Sequence, residues 1–195
     1  MLVRAHGFAI DRGVAVHVDI ELDLRAGLPG LAVIGLGGGP ARDLRERVQA
    51  AVLNSGFGFP RRRLTVNIAP PPRRSGAELD LAVACCVLAA GGQLDGSRLE
   101  RVGLCAELGL GGALRGCGAA AGVADAAAEA GLAGVIVAGA DRDAAELSGA
   151  IAVAGAQTLA DVVTLLTTRS PARERRATPP ARRRLDRTAL GARAP

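Results

Sequence analysis

The sequence predicts a mixed α/β or α+β domain built from short apolar strands and amphipathic helices. The first observation is that large apolar residues alternate with small or polar ones from Val14 to Leu24, which is typical of a half-buried strand. The second is an apolar stripe at helical spacing between Pro40 and Asn54. The third is that 195 residues can bury a core, which only three Phe and no Trp or Tyr make largely aliphatic.

The other elements follow from periodicity and from turn residues. Strands are predicted at residues 2–9, 31–36, 64–68, 102–107, 135–137 and 151–153, and further helices at 78–90, 118–130 and 159–166. The continuous apolar run 31–36 favours a strand that is buried on both faces. Asp141 is expected to start one more helix as its N-cap, and a glycine-rich hairpin is expected at 108–114.

Composition divides the chain into a domain of residues 1–166 and a tail of residues 167–195. The tail carries nine arginines against two acids, a net charge of +7, and its four prolines and few large apolar residues predict disorder. The domain carries a net charge of −2 and does not have the charge of a polyanion-binding protein. No segment resembles a leader or a membrane span, so we expect a cytoplasmic protein with no membrane partner.

The chain contains no lysine, since all 24 of its basic residues are arginine. A Walker A loop needs a lysine on the nucleotide phosphates, and a Ser-Lys dyad needs a lysine base, so neither can exist here in its usual form. Ser55 and Ser75 lie in glycine-flanked turns with no base beside them in the sequence. We therefore predict no catalytic residue.

The four cysteines and two histidines give no metal-ligand spacing, so the sequence predicts no metal site and no cofactor. Adjacent Cys85 and Cys86 are interpreted as core packing in a reducing compartment. His17 lies on the wet face of its strand, and no partner for it is visible in the sequence.

A glycine loop between a strand and a helix is a weak candidate for a phosphate-binding site. Its glycines are Gly35, Gly37, Gly38 and Gly39. Backbone N–H groups at a helix N-terminus can hold a phosphate. However, Pro40 stands where a dinucleotide-binding pattern needs glycine, and no acidic residue follows about 20 residues on. The alternative is a tight strand-to-helix connection.

Two arginine clusters flank the strand predicted at 64–68 and are candidate contacts for nucleic acid or a partner. They consist of Arg61, Arg62, Arg63, Arg73 and Arg74. If both clusters lie at one edge of the fold, they form a basic patch that could contact a phosphate backbone. The alternatives are solvated turns or a contact with an acidic neighbouring subunit.

An ordered series of motifs resembles the N-terminal, ChlI-type domain of magnesium chelatase-like AAA+ proteins of the ComM/YifB competence-protein type. The series runs Gly27-Leu28-Pro29, Ile34-Gly35-Leu36, Arg45-Glu46-Arg47-Val48, Asn54-Ser55-Gly56-Phe57, Thr65-Val66-Asn67-Ile68-Ala69-Pro70, Gly76-Ala77-Glu78-Leu79-Asp80-Leu81 and Val102-Gly103-Leu104-Cys105-Ala106-Glu107-Leu108. The resemblance covers about residues 1–166. Any single motif would be weak, but their order is specific.

The resemblance implies a ribosomal protein S5 domain 2-like fold, related to the proteolytic domain of Lon. Peptidases with that fold use a Ser-Lys dyad, whose serine would align near Asp80 and whose lysine would align within residues 116–122. Neither residue type is present there. The run Arg73-Arg74-Ser75, the GGGP step at residues 37–40 and the turn Arg115-Gly116-Cys117-Gly118 also depart from the family pattern.

We therefore expect a non-catalytic domain that lacks the family's ATPase module, with a family role in DNA processing during natural transformation. Expected partners are a second copy of the chain, an AAA+ module supplied by another chain, or DNA. Two alternatives remain open at this point: an interaction module acting through the arginine clusters, and a nucleotide-binding domain using the glycine loop at 35–40.

Overall fold

The computed structural model describes residues 1–73 and 76–168. Within them the chain forms nine strands and five α-helices. The strands are β1 Leu2–Asp11, β2 Val14–Arg25, β3 Gly30–Ile34, β4 Arg63–Ala69, β5 Val102–Cys105, β6 Glu107–Leu108, β7 Leu114–Arg115, β8 Gly134–Ala138 and β9 Ala152–Ala156. The helices are α1 Gly38–Asn54, α2 Asp80–Ala90, α3 Ala120–Glu129, α4 Arg142–Glu146 and α5 Leu159–Thr168.

A seven-stranded mixed sheet in the order β3-β4-β2-β1-β5-β8-β9 forms the centre of the molecule. Strand β2 is antiparallel to both of its neighbours, β1 and β4, and the other four ladders are parallel. Strands β6 and β7 form a separate two-stranded sheet. This arrangement confirms the mixed α/β class, since helices connect the parallel strands.

Helices cover both faces of the sheet and create two apolar clusters. The larger cluster contains the buried residues of α1, α2 and α5 with the inward side chains of β1, β2 and β4, among them Ile20, Leu44 and Leu166. The smaller cluster joins Phe8 and Cys105 to α3 and α4. Beyond the cover of α3 and α4, the outward side chains of β2 and β4 remain half-buried or exposed.

Helix α2 lies entirely inside the protein, because each of its eleven residues is buried. It packs on β1, β2, β5 and α1. Cys85 and Cys86 are completely buried and free, which confirms that they are core residues. The first residue of α2, Asp80, is the one buried charged side chain among the described residues.

Several sequence-based expectations are wrong in detail. Strand β3 is an edge strand, so Ala32 and Ile34 are exposed instead of buried on both faces. The strand expected at 102–107 is interrupted at Ala106, which separates β5 from β6. Helix α1 begins at Gly38, two residues before Pro40, which still occupies the first turn, where its missing N–H breaks no helical hydrogen bond.

The described part of the chain ends within the predicted tail. Thr167 and Thr168 complete α5, and the rest of the tail lies outside the described residues.

Candidate functional site

A buried ion pair joins α1 to α2 at the position where the resemblance places the serine of a Ser-Lys dyad. Arg47 Nε donates to Asp80 Oδ2 at 2.6 Å, and Arg47 Nη2 donates to Asp80 Oδ1 at 3.1 Å. The Leu108 N–H on β6 also donates to Asp80 Oδ2 at 3.3 Å. Asp80 thus connects two helices and the small second sheet, while its side chain has no exposed surface.

Burial controls the protonation of this pair. Desolvation raises the pKa of Asp80 to about 6, because it outweighs the opposing effects of the Arg47 hydrogen bonds and charge and of the Leu108 N–H. The hydrogen bond to Asp80 raises the pKa of Arg47, so the guanidinium stays charged. Near neutral pH the pair is a carboxylate and a guanidinium that satisfy each other, a structural arrangement with no free nucleophile.

The β6–β7 hairpin extends this network toward the surface. Arg115 Nη1 donates to Glu107 Oε1 at 3.2 Å across the two strands. Ser55 follows α1 as its C-cap and lies against the same hairpin, because a Cβ on Gly112 would come within 2.0 Å of its hydroxyl oxygen. Ser75 lies outside the described residues.

Asp141 forms a hydrogen bond to the loop at residues 116–118. The resemblance places the lysine of the dyad within residues 116–122, which begin with this loop. The Cys117 N–H donates to Asp141 Oδ2 at 2.7 Å. Asp141 is the N-cap residue of α4, as expected, but its side chain makes no capping hydrogen bond to that helix. Its carboxylate instead fixes the loop before α3.

Only one glycine of the loop, Gly35, is required by the backbone and by its close contacts. Gly35 has a φ of +94°, and a Cβ there would lie 2.2 Å from the Ile68 carbonyl oxygen of β4. The fold therefore requires glycine at this position. Gly37, Gly38 and Gly39 have open space around them at the start of α1. Phosphate binding at this loop stays a prediction.

The condition for a single basic patch, that both arginine clusters lie at one edge of the fold, is not met. Arg63 begins β4, whereas Arg73 follows the other end of that strand, about 20 Å away for a strand of this length. Arg73 Nε lies 3.9 Å from Asp11 Oδ2. Arg74 lies outside the described residues. Contact with nucleic acid or a partner remains a prediction for both clusters.

Sequence reasoning missed a cluster of His6, His17 and Asp19. Strands β1 and β2 are joined by the two residues Arg12 and Gly13, both with positive φ, which sets a register that pairs His6 with Asp19. The partner of His17 that the sequence did not show is His6, whose Nδ1 lies 3.0 Å from His17 Nε2. The two-residue turn was the signal that could have revealed this cluster.

The environments of His17 and the cysteines follow from burial. Desolvation lowers the pKa of His17 more strongly than Asp19 raises it, and His6 lowers it further, so the ring is neutral near pH 7. Burial raises the pKa of Cys85 to about 12 and also raises that of Cys86. Among the four thiols, that of Cys117 is the one that is not fully buried.

Comparison with known proteins finds relatives for about half of the chain. The chain is similar to the protein YifB of Salmonella typhimurium, with 43% identity over 103 residues, which are 52% of this chain and 20% of YifB. YifB of Escherichia coli is 39% identical over 103 residues, again 52% of this chain and 20% of YifB. Competence protein ComM of Haemophilus influenzae is 41% identical over 100 residues, 51% of this chain and 20% of ComM.

The chain thus spans about a fifth of the length of these relatives. Within residues 1–73 and 76–168, no helix is long and apolar enough to cross a membrane.

A family model covers a larger part of the sequence. The model described as subunit ChlI of Mg-chelatase matches residues 20–141, from the middle of β2 to the residue just before α4. The match contains both partners of the Arg47–Asp80 ion pair and the β6–β7 hairpin that donates to it. The expected family is confirmed: the chain belongs to the family of subunit ChlI of Mg-chelatase.

Proposed function

We propose that this chain is a non-catalytic N-terminal domain of the ComM/YifB type, which serves an AAA+ module and has no chemistry of its own. The observation that carries the proposal is the Arg47–Asp80 pair. Near the position where the resemblance implies a catalytic serine, it places a carboxylate that has no exposed surface and accepts two hydrogen bonds from one guanidinium. In this arrangement the carboxylate lies out of hydrogen-bond reach of a molecule in solvent, which supports the proposal.

The lack of lysine supports the same proposal. A Walker A loop in its usual form needs a lysine on the phosphates, and a Ser-Lys dyad needs a lysine base, so this sequence can supply neither. The competence role belongs to the ComM protein by its name, and we propose by analogy that this domain takes part in DNA processing during natural transformation. We further propose that it works in the cytoplasm, with an AAA+ module on another chain or a second copy of itself as its partner.

The test measures two things separately: catalysis by the chain itself, and its effect on the ATPase rate of an AAA+ module. The full chain is assayed for hydrolysis of ATP and of a mixed fluorogenic peptide library, with Asp80→Asn as the comparison. We expect both activities to stay at the buffer level for both proteins. A separately purified ComM-type AAA+ module should then change its ATPase rate when the chain is added. Peptide cleavage that disappears in Asp80→Asn, or an ATPase rate unaffected at saturating chain, would contradict the proposal.

A second candidate function is contact with single-stranded DNA through Arg61–Arg63. These three arginines are exposed and adjacent, and no carboxylate in residues 1–73 and 76–168 forms an ion pair with them. Arginines without an internal partner are available to phosphate oxygens. The salt dependence of DNA binding, described in the Discussion, tests this candidate.

A further inference from the structure

The exposed face of the β1–β2 ladder carries three donor groups that converge on one point. His6 is paired with Asp19 across the ladder, and His17 lies two positions before Asp19 on the same face of β2. The three ligand atoms are His6 Nδ1, His17 Nε2 and Asp19 Oδ1, and all lie within 4.8 Å of one another. None of these residues belongs to the Arg47–Asp80 network.

The separations between these atoms match those around a small tetrahedral ion. His6 Nδ1 lies 3.0 Å from His17 Nε2 and 3.3 Å from Asp19 Oδ1, and His17 Nε2 lies 3.8 Å from Asp19 Oδ1. Zn²⁺ binds nitrogen and oxygen at about 2.0–2.2 Å, which places neighbouring ligand atoms about 3.3–3.6 Å apart in a tetrahedron. The three distances bracket this range, so side-chain adjustments of a few tenths of an ångström suffice.

The balance of donors and acceptors also favours a cation. Each neutral imidazole has one N–H and one lone pair, and an ionised carboxylate has lone pairs only. One proton between His6 Nδ1 and His17 Nε2 satisfies the two rings, while Asp19 Oδ1 competes for the same proton. A cation between the three atoms satisfies all three lone pairs together. We propose that His6, His17 and Asp19 bind a divalent transition-metal ion such as Zn²⁺.

The donor set selects the class of ion. Two imidazoles and one carboxylate suit Zn²⁺ and its first-row neighbours, whereas Mg²⁺ prefers an all-oxygen octahedron. Among the described residues no fourth His, Cys, Asp or Glu joins the group, so water completes the coordination. The ion can enter from the open face, because the Asp19 side chain is 63% exposed and the two imidazoles are half-buried.

The framework under the site is rigid. The β1–β2 ladder pairs ten residues of each strand without a bulge. Gly7, next to His6, lies against Leu79 of the core, where even a Cβ would come within 2.8 Å of the Leu79 side chain. The ring of buried Phe8 lies 5.7 Å from the His17 ring, centroid to centroid. Ligands on fixed strands lose little conformational entropy when an ion binds.

Metal titrations of the untagged full chain test the site. Zn²⁺ binding is measured by calorimetry, and Co²⁺ binding by its visible ligand-field absorption, for the wild type, His6→Gln, His17→Gln and Asp19→Asn. The matched control is Glu21→Gln, which changes another carboxylate on the same face of β2. We expect one ion per wild-type chain and a rise in melting temperature with Zn²⁺. Loss of one ligand should weaken affinity on the order of tenfold or more, whereas Glu21→Gln should leave it unchanged.

A thiolate also binds zinc, so Cys117→Ser tests whether the half-buried thiol of Cys117 binds the ion instead. Binding that survives in Cys117→Ser and is lost in both histidine variants supports the proposal. Binding that survives in His17→Gln but not in Cys117→Ser overturns it, as does the absence of saturable Zn²⁺ and Co²⁺ binding to the wild type. Far-UV circular dichroism of each variant shows that any loss of binding is not a loss of fold.

Discussion

Replacing Arg47 with alanine tests the role of the buried ion pair most sharply, because it leaves the Asp80 carboxylate enclosed with one remaining donor. That donor is the Leu108 N–H at 3.3 Å. The two hydrogen bonds at 2.6 and 3.1 Å disappear together with the positive charge. Asp80 then has to be buried as an unpaired anion or take up a proton.

The structure sets the size of the effect. Removing one partner of a buried ion pair costs about 3–5 kcal/mol of unfolding free energy. The lower end applies here, because Arg47 keeps 23% of its side chain exposed and Asp80 can be neutralised by protonation. We expect a loss of about 3 kcal/mol at pH 7, which corresponds to a fall in melting temperature of about 6–12 °C for a chain of this size.

The effect must also depend on pH, with a definite sign. The folded-state pKa of Asp80 is raised from 3.8 to about 6, so its stabilising contribution is present below pH 4 and is lost as pH rises through about 6. Without Arg47 that pKa rises further, and the loss continues through pH 7. At about 1.4 kcal/mol per pKa unit, Arg47→Ala should cost about 1 kcal/mol more at pH 7 than at pH 5.

The assay is urea unfolding followed by far-UV circular dichroism at pH 5 and pH 7, since the chain has no Trp or Tyr to report by fluorescence. Arg45→Ala is the matched control, because Arg45 is an exposed arginine on the same helix. It should change the unfolding free energy by no more than about 0.5 kcal/mol. A cost below 1 kcal/mol for Arg47→Ala, or a larger cost at pH 5 than at pH 7, would refute the reasoning.

Three further predictions concern the glycine loop, the arginine cluster and the thiols. Gly35→Ala should destabilise the protein by at least about 2 kcal/mol in urea unfolding, because it combines a positive φ with a backbone clash, whereas Gly38→Ala should be neutral or stabilising. Replacing Arg61–Arg63 with alanine in the full chain should weaken binding to single-stranded DNA. It should also make the negative slope of the logarithm of the association constant against the logarithm of salt concentration shallower by about 2, while Arg73→Ala should make it shallower by less than 1. In native protein, Ellman's reagent should modify one thiol per chain quickly, and Cys117→Ser should remove that fast phase, because burial protects the other three.

Each of these three predictions has an outcome that would contradict it. Equal stability of Gly35→Ala and Gly38→Ala would mean that the strand-to-helix turn relaxes without cost. An unchanged salt slope in the Arg61–Arg63 variant would assign any DNA binding to other arginines. Fast modification of more than one thiol in Cys117→Ser would show that the interior around α2 opens readily to reagents.

The strongly periodic helices and strands could be predicted from the sequence, but which helices cover which face of the sheet could not. The alternation gave the buried and exposed faces of β2 correctly from Val18 to Leu24, because period two depends only on local geometry, whereas Val14 and Val16 are exposed where the pattern predicted burial. The run at 31–36 has no such alternation, and whether a second layer covers it depends on distant helices. Strand β3 therefore emerged as an edge strand with Ile34 exposed.

The candidate sites show the same limit. Asp80 opens an otherwise apolar helix, a pattern that signals a buried charge in need of a partner, but nothing local identifies Arg47, 33 residues earlier, as that partner. The histidine cluster was within reach of sequence reasoning, because a two-residue turn at Arg12 and Gly13 determines which side chains face each other. The sequence placed the arginine clusters on either side of β4, but only the observed length of that strand shows how far apart they lie.

The central claim is that this domain supports an AAA+ module without performing chemistry itself. The most direct measurement is the transformation frequency of Haemophilus influenzae whose ComM carries this chain in place of its own matching segment. Strains with that segment deleted, and with a chimera containing Arg47→Ala, are the comparisons. We predict that the chimera restores transformation well above the deletion and that Arg47→Ala reduces this restoration in proportion to the loss of folded protein. A stably expressed chimera that transforms no better than the deletion would contradict the claim.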